Sequence, residues 1–208
     1  MSLFQMTTMT TSIFSVSNAS AKNSTQGGFA DMLTAVSSPP ALAGDDSLFG
    51  EVFDPKTGAI DITKLFATLA DRTAQFADRF RKAMADAGVD TSTPITITVA
   101  PDGRLVVDPS HPQAALIQKT LDENPALAQA YRNIAAQNDH MACLMVAASY
   151  VQAWNGADSD SARQAVFQKF SGILKQVQAQ ANGQMTISAT SITVQSISYV
   201  QSMGYGIS

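Results

Sequence analysis

The chain has 208 residues, room for one domain or for one domain with a tail. Apolar residues make up 45%, enough for a core, but charged residues reach only 14%, against about 25% in ordinary soluble domains. A net charge of -4 excludes a broad electrostatic hold on nucleic acid, and one cysteine excludes an internal disulfide. No apolar run approaches the roughly 18 residues of a membrane-spanning helix.

The few charges are unevenly spread. From Met1 to Gly44 only Lys22 and Asp31 are charged, and from Gln176 to Ser208 nothing is. Residues 1–28 are rich in Ser and Thr and show no sustained period, so a disordered tail is expected there. It lacks the charged start and continuous apolar stretch of a Sec signal. Its composition resembles the uncleaved export signals of type III and flagellar systems. Phe29, Met32, Leu33 and Val36 then mark one face of a two-turn helix that Pro39-Pro40 stops, and residues 37–50 read as a linker.

FDPKTGAIDITKL has the spacing of a calcium loop around Gly58, Ile60 and Asp61. Its first, third and twelfth positions would be Phe53, Pro55 and Lys64, which offer no side-chain oxygen, so a turn at 54–58 is expected instead. Ile62, Phe66, Leu69, Thr73, Phe76, Phe80, Ala83 and Ala87 recur in steps of 4 and 3, predicting a long helix with a heptad-like seam. Ile95, Ile97 and Val99 alternate with threonine; Asp102-Gly103 then turns the chain back into Leu105-Val106-Val107, a β-hairpin. A helix over about 112–123 stops at Asn124-Pro125. Leu127, Tyr131, Ile134, Asn138, Met141, Met145 and Ala148 form a second seam, expected to pack antiparallel to the first. Asn138 is its one strongly polar member. Residues 141–154 are apolar almost all round, as in a central core helix. Ser161 and Gln164 fit a capping box for another helix to about 180, and the charge-free stretch 184–201 reads as strands with a bend near Ile197.

The chemistry-bearing residues are sparse. His140 and Cys143, three apart on a helix, could pair as base and nucleophile or begin a zinc site. No second cysteine exists, and the other histidine, His111, sits at a helix entry. The apolar surroundings of Cys143 favour a buried structural thiol. Asp158-Ser159-Asp160-Ser161 reads as helix capping, Asp45-Asp46 and Asp122-Glu123 as solvated acids, and Arg79, Arg81 and Lys82 as an exposed helix face. No catalytic, cofactor-binding or metal-ligating residue is assigned.

These elements predict an α+β fold. An antiparallel helical core carries a β-hairpin and C-terminal β-strands behind a disordered N-terminal tail. The divisions are a tail at 1–28, a short helix and linker at 29–50, and one domain over 51–208. The function expected is that of a non-enzymatic interaction or structural protein of bacterial style, exported by a type III or flagellar-type apparatus. The alternative is a cytosolic module binding a small ligand or peptide. Its partners are other proteins or a second copy, the 184–201 strands pairing across the two-fold axis of a homodimer, with no nucleic acid, cofactor, metal or membrane span. Export makes a direct prediction: residues 1–40 fused to a reporter direct its secretion in a host with an active apparatus, and retention of the reporter in the cytosol removes the export reading.

Overall fold

The computed structural model of the chain describes residues 53–54, 59–60 and 62–205. The tail expected at 1–28 and the short helix and linker at 29–50 lie outside the described residues. Strands β1 (Phe53–Asp54) and β2 (Ala59–Ile60) pair antiparallel, as the expected turn between them requires. Helix α1 follows at Ile62–Asp86. Then come β3 (Ile95–Val99), β4 (Leu105–Val107), α2 (Ala114–Glu123) and α3 (Pro125–Asn155). The order ends with α4 (Asp160–Gln180), β5 (Met185–Ile187), β6 (Ile192–Val194) and α5 (Gln195–Ser202). The fold is α+β. Among the described residues no helix is long and apolar enough to cross a membrane.

Four strands form an antiparallel sheet in the order β4-β3-β5-β6. Alternation decides its two faces. Ile95, Ile97, Leu105, Val107, Met185 and Ile187 are buried, while Thr96, Thr98, Val106, Thr186 and Thr193 point away from them. On that outer face Thr96 and Thr186 stand opposite each other and share a hydroxyl hydrogen bond of 2.9 Å. Gly103 takes φ +82 at the β3–β4 turn, the conformation for which Asp-Gly is suited.

Helices α1 and α3 pack antiparallel. Phe76 meets the Tyr131 ring edge-on at 5.9 Å, and Thr73 is joined to Asn138. Leu65 and Leu69, earlier in α1, share a cluster with Met141 and Met145, later in α3. The expected α1 seam holds in the middle, at Leu69, Thr73, Phe76 and Phe80, and slips to Met84 at the end. A straight helix drifts about 20° per heptad from a strict seven-residue repeat, which accounts for the slip. Both helices run through two apolar clusters. One joins their sheet-side halves to β3, β4, β5 and α2, and the other joins their remaining halves to α4 and α5. This is why 141–154 has apolar residues on so many faces: α1, α4 and α5 surround it.

Two expectations are corrected. Residues 195–202 are helix α5, not strand. The break in alternation after Val194 marks a change of period rather than a bend, since Ser196 and Val200, four apart, are the buried pair. The cap of α4 is Ser159, whose Oγ accepts from the Ala162 N–H at 3.2 Å, so the helix starts earlier than the Ser161 capping box predicts. At α3 the Asn-Pro signal reads as expected: Asn124 Oδ1 accepts from the Leu127 N–H at 3.1 Å, and Pro125 occupies the first turn.

Candidate functional site

A cleft of about 250 Å³ opens between α1 and the β6–α5 corner. Phe66, Leu69, Ala70 and Thr73 line it from α1, while Ile192, Val194, Ile197, Ser198 and Gln201 line it from the other side. Asn138 of α3 closes it below. Among the described residues no lining side chain is charged. Leu69, Thr73 and Asn138 are buried, Phe66, Ile192 and Ile197 are half-buried, and Ala70 is exposed at the rim. Asn138 Nδ2 donates to Thr73 Oγ1 at 3.0 Å and to the Ile134 carbonyl at 2.9 Å; Thr73 Oγ1 in turn donates to the Leu69 carbonyl at 2.7 Å. The buried amide therefore fixes the register of α3 on α1 at the cleft floor.

Two further contacts hold the β6 wall in place. Arg81 of α1 donates through Nε to the Ser188 carbonyl at 2.7 Å and through Nη2 to the Ser191 carbonyl at 3.0 Å. It thus grips the β5–β6 turn, which the Ser188 and Ser191 hydroxyls also close at 2.7 Å. The sequence reading of Arg79, Arg81 and Lys82 as only an exposed face is too simple for Arg81. Besides Asp78 one turn earlier, whose Oδ1 accepts from its Nη1 at 2.7 Å, its partners are backbone carbonyls more than 100 residues away, and no sequence spacing announces those. The outer side of β6 has no strand partner among the described residues, so the cleft wall ends in the edge strand of the sheet.

A second polar group lies where α3 meets the start of β5. Gly183 takes φ +66, and a Cβ there would come within 2.5 Å of Val99 Cγ2, so only glycine fits. Tyr131 and Asp139 of α3 hold this corner. The Gly183 N–H donates to Asp139 Oδ2 at 2.9 Å. The Tyr131 hydroxyl shares its proton between the Ile97 carbonyl at 2.5 Å and the Gly183 carbonyl at 3.0 Å, and accepts from the Met185 N–H at 3.1 Å. Burial raises the pKa of Asp139; the nearby Ser196 hydroxyl and the Gly183 N–H pull it back in part. Ser196 nevertheless falls short of good hydrogen-bond geometry, leaving Asp139 Oδ1 and Ser196 Oγ buried without a partner.

Cys143 follows Asp139 by one helical turn. Burial first, and the Asp139 carboxylate second, push its thiol up to about 11. At neutral pH the thiol stays protonated, which makes it a poor nucleophile. Asp139, four residues earlier on the same helix, is the charge that acts on it. His111 lies apart from this pair at the entry to α2, where its Nδ1 accepts from the Gln113 N–H at 3.1 Å. Asp160 opens α4 beside its Ser159 cap, and Asp122 accepts from Gln118 Nε2 at 3.0 Å on the surface of α2. Asp45 and Asp46 lie outside the described residues. Among the described residues no group of three or more His, Cys, Asp or Glu side chains is placed to hold a metal ion. No protein-family model, curated protein or solved structure matches the chain.

The buried carboxyl has a signed consequence. Its folded pKa lies above the unfolded value, so the folded state binds the proton more tightly. The stability contributed by Asp139 is therefore greatest below the unfolded pKa, near 3.9, and is lost as pH rises through the folded value. Asp139→Asn keeps an oxygen for the Gly183 N–H and has no charge to desolvate. Urea denaturation from pH 3.5 to 7.5 should show the variant gaining stability relative to the unsubstituted protein as pH rises. A pH-independent difference would contradict this account of Asp139.

Proposed function

We propose that this is a non-enzymatic interaction protein that receives an uncharged polypeptide segment in the cleft between α1 and β6–α5. The observation that carries the reading is the cleft itself: apolar walls, a polar but uncharged floor, and along one side a strand edge unpaired among the described residues. Its volume of about 250 Å³ lies below the roughly 300–1,000 Å³ of small-molecule sites, and suits a few side chains better than a cofactor. An edge strand supplies backbone donors and acceptors to an added strand, while the pocket beside it selects side chains. The same edge favours self-association into a homodimer as the second partner reading. Export remains the proposed setting, supported by the charge-poor first 44 residues. The protonated, buried Cys143 supports a reading without nucleophilic catalysis.

An array of 15-residue peptides tests the cleft. Bound peptides are expected to be apolar and uncharged. Ala70→Glu at the exposed rim and Ser198→Glu opposite should each weaken binding by tenfold or more, since a bound apolar segment would cover the charge and leave it unpaired, while Val106→Glu on the outer sheet face leaves it unchanged. Binding confined to charged peptides, or indifferent to both cleft substitutions, contradicts the proposal.

A further inference from the structure

We infer that Asp139 is a proton-operated latch on the β6–α5 wall of the cleft, which holds that wall closed while its carboxyl is protonated and releases it when the carboxyl ionises. The latch stands on the packing behind the cleft floor; only its effect on docking rests on the cleft being a docking site.

Asp139 lies behind the cleft. Its neighbour in α3, Asn138, bonds Thr73 of α1 at the cleft floor, whereas Asp139 Oδ2 takes the Gly183 N–H before β5. The fully buried Ser196, in the first turn of α5, brings its hydroxyl to the same carboxyl. Asp139 Oδ1 and Ser196 Oγ have no other partner among the described residues. The next two residues, Ile197 and Ser198, line the cleft.

Among the described residues no cation answers a carboxylate there. On α3 the titratable groups it acts on are Tyr131 and Cys143, and both stay neutral because burial and its charge raise their pKa values. His140 is the next residue, turned about 100° round the helix. From β5, β6 and α5 nothing charged reaches it, since no side chain from Gln176 to Ser208 is charged. Arg81 of α1 is engaged with the β5–β6 turn and Asp78, and Arg163, Lys169 and Lys175 of α4 are exposed. The acid donates to Ser196 Oγ and the carboxylate accepts from it, so that contact serves both states and the charge is what differs. Burial acts on it most strongly, and the Ser196 and Gly183 donors offset only part of that. An ionised carboxyl in a dry corner without a counter-ion is costly, and the cost falls when water enters. The side that yields is α5. It has eight residues, no side chain caps its N-terminus, and Ser196 and Val200 are its buried pair. Opposite it, β5 is held by the Tyr131 hydroxyl and α3 is 31 residues long. The closed form binds the proton more tightly than the loosened one, so closure is complete at low pH and is lost as pH rises through the folded pKa. The cleft of about 250 Å³ then widens as Ile197 and Ser198 move off, and takes a peptide more readily.

Amide hydrogen exchange of the full-length protein at pH 4 and pH 7.5, normalised to the rates of the unfolded chain, tests this. Protection of residues 195–202 should fall at least threefold at the higher pH, with little dependence on low urea, which marks a local opening. Asp139→Asn should keep its pH 4 protection at pH 7.5. Ser196→Ala removes a donor to the carboxylate and should carry the fall to higher pH. Protection equal at the two pH values overturns the inference. So does a fall that survives in Asp139→Asn or is unmoved by Ser196→Ala, and so does exchange of 195–202 only through the urea-dependent unfolding that also exposes residues 76–84 of α1. Uncharged array peptides should bind at least threefold tighter at pH 7.5 than at pH 4, and Asp139→Asn should remove the difference. Equal peptide affinity at both pH values, with the fall in protection present, overturns the latch's hold on the cleft. Peptide capture without the fall keeps the cleft reading and removes only the latch. The fall without peptide capture keeps the latch and removes the partner reading.

Discussion

The hydroxyl of Tyr131 joins the two halves of this fold. It stands in the core between β3 and β5, where it accepts from the Met185 N–H and bonds the Ile97 and Gly183 carbonyls. These are buried backbone groups, and each left unpaired would cost about 1–3 kcal/mol. Tyr131 is fully buried, and its ring packs edge-on against Phe76 of α1. One side chain thus sets the depth of α3 on the sheet and orients α1 against both. Two helical turns along α3, Asp139 takes the Gly183 N–H, so the start of β5 is held by two side chains from one helix face.

The cleft follows from that anchoring. Once β5 is placed, its pairing places β6, and Arg81 fixes the turn between them to α1. The chain then changes from strand to helix at Gln195, bringing Ile197 and Ser198 to face Phe66 and Ala70 across a gap. Beneath the gap the Thr73–Asn138 pair lies where the two apolar clusters meet. Both side chains are buried there, and the amide needs the partner it has.

The elements defined by local period and turn chemistry were legible before the structure. Asp102-Gly103, Asn124-Pro125 and the seams of α1 and α3 are short-range signals, and the helices and hairpin follow them. Asn138, recognised as the odd member of its seam, proves to be a register contact between α1 and α3. Three other features depended on distant partners. Arg81 looked like surface charge because its carbonyl acceptors come from a turn more than 100 residues later. Asp139 carries no pattern around it in the sequence, because its partner is the Gly183 N–H, 44 residues later. The 195–202 stretch is rich in Ser, Ile and Tyr, and its composition suits a strand. Packing against α3 and α4 overrides that weak preference. The cleft was invisible because no residue in it carries a chemical signature; it exists only in how three helices and a strand meet.

The account turns on Tyr131 as the link between helices and sheet. Tyr131→Phe keeps the ring and removes only the hydroxyl, so the measurement is direct: urea denaturation combined with amide hydrogen exchange at Met185. The account predicts a loss of about 1–3 kcal/mol and faster exchange at Met185, whose N–H loses its acceptor. A variant as stable as the unsubstituted protein, with Met185 exchange unchanged, would contradict it.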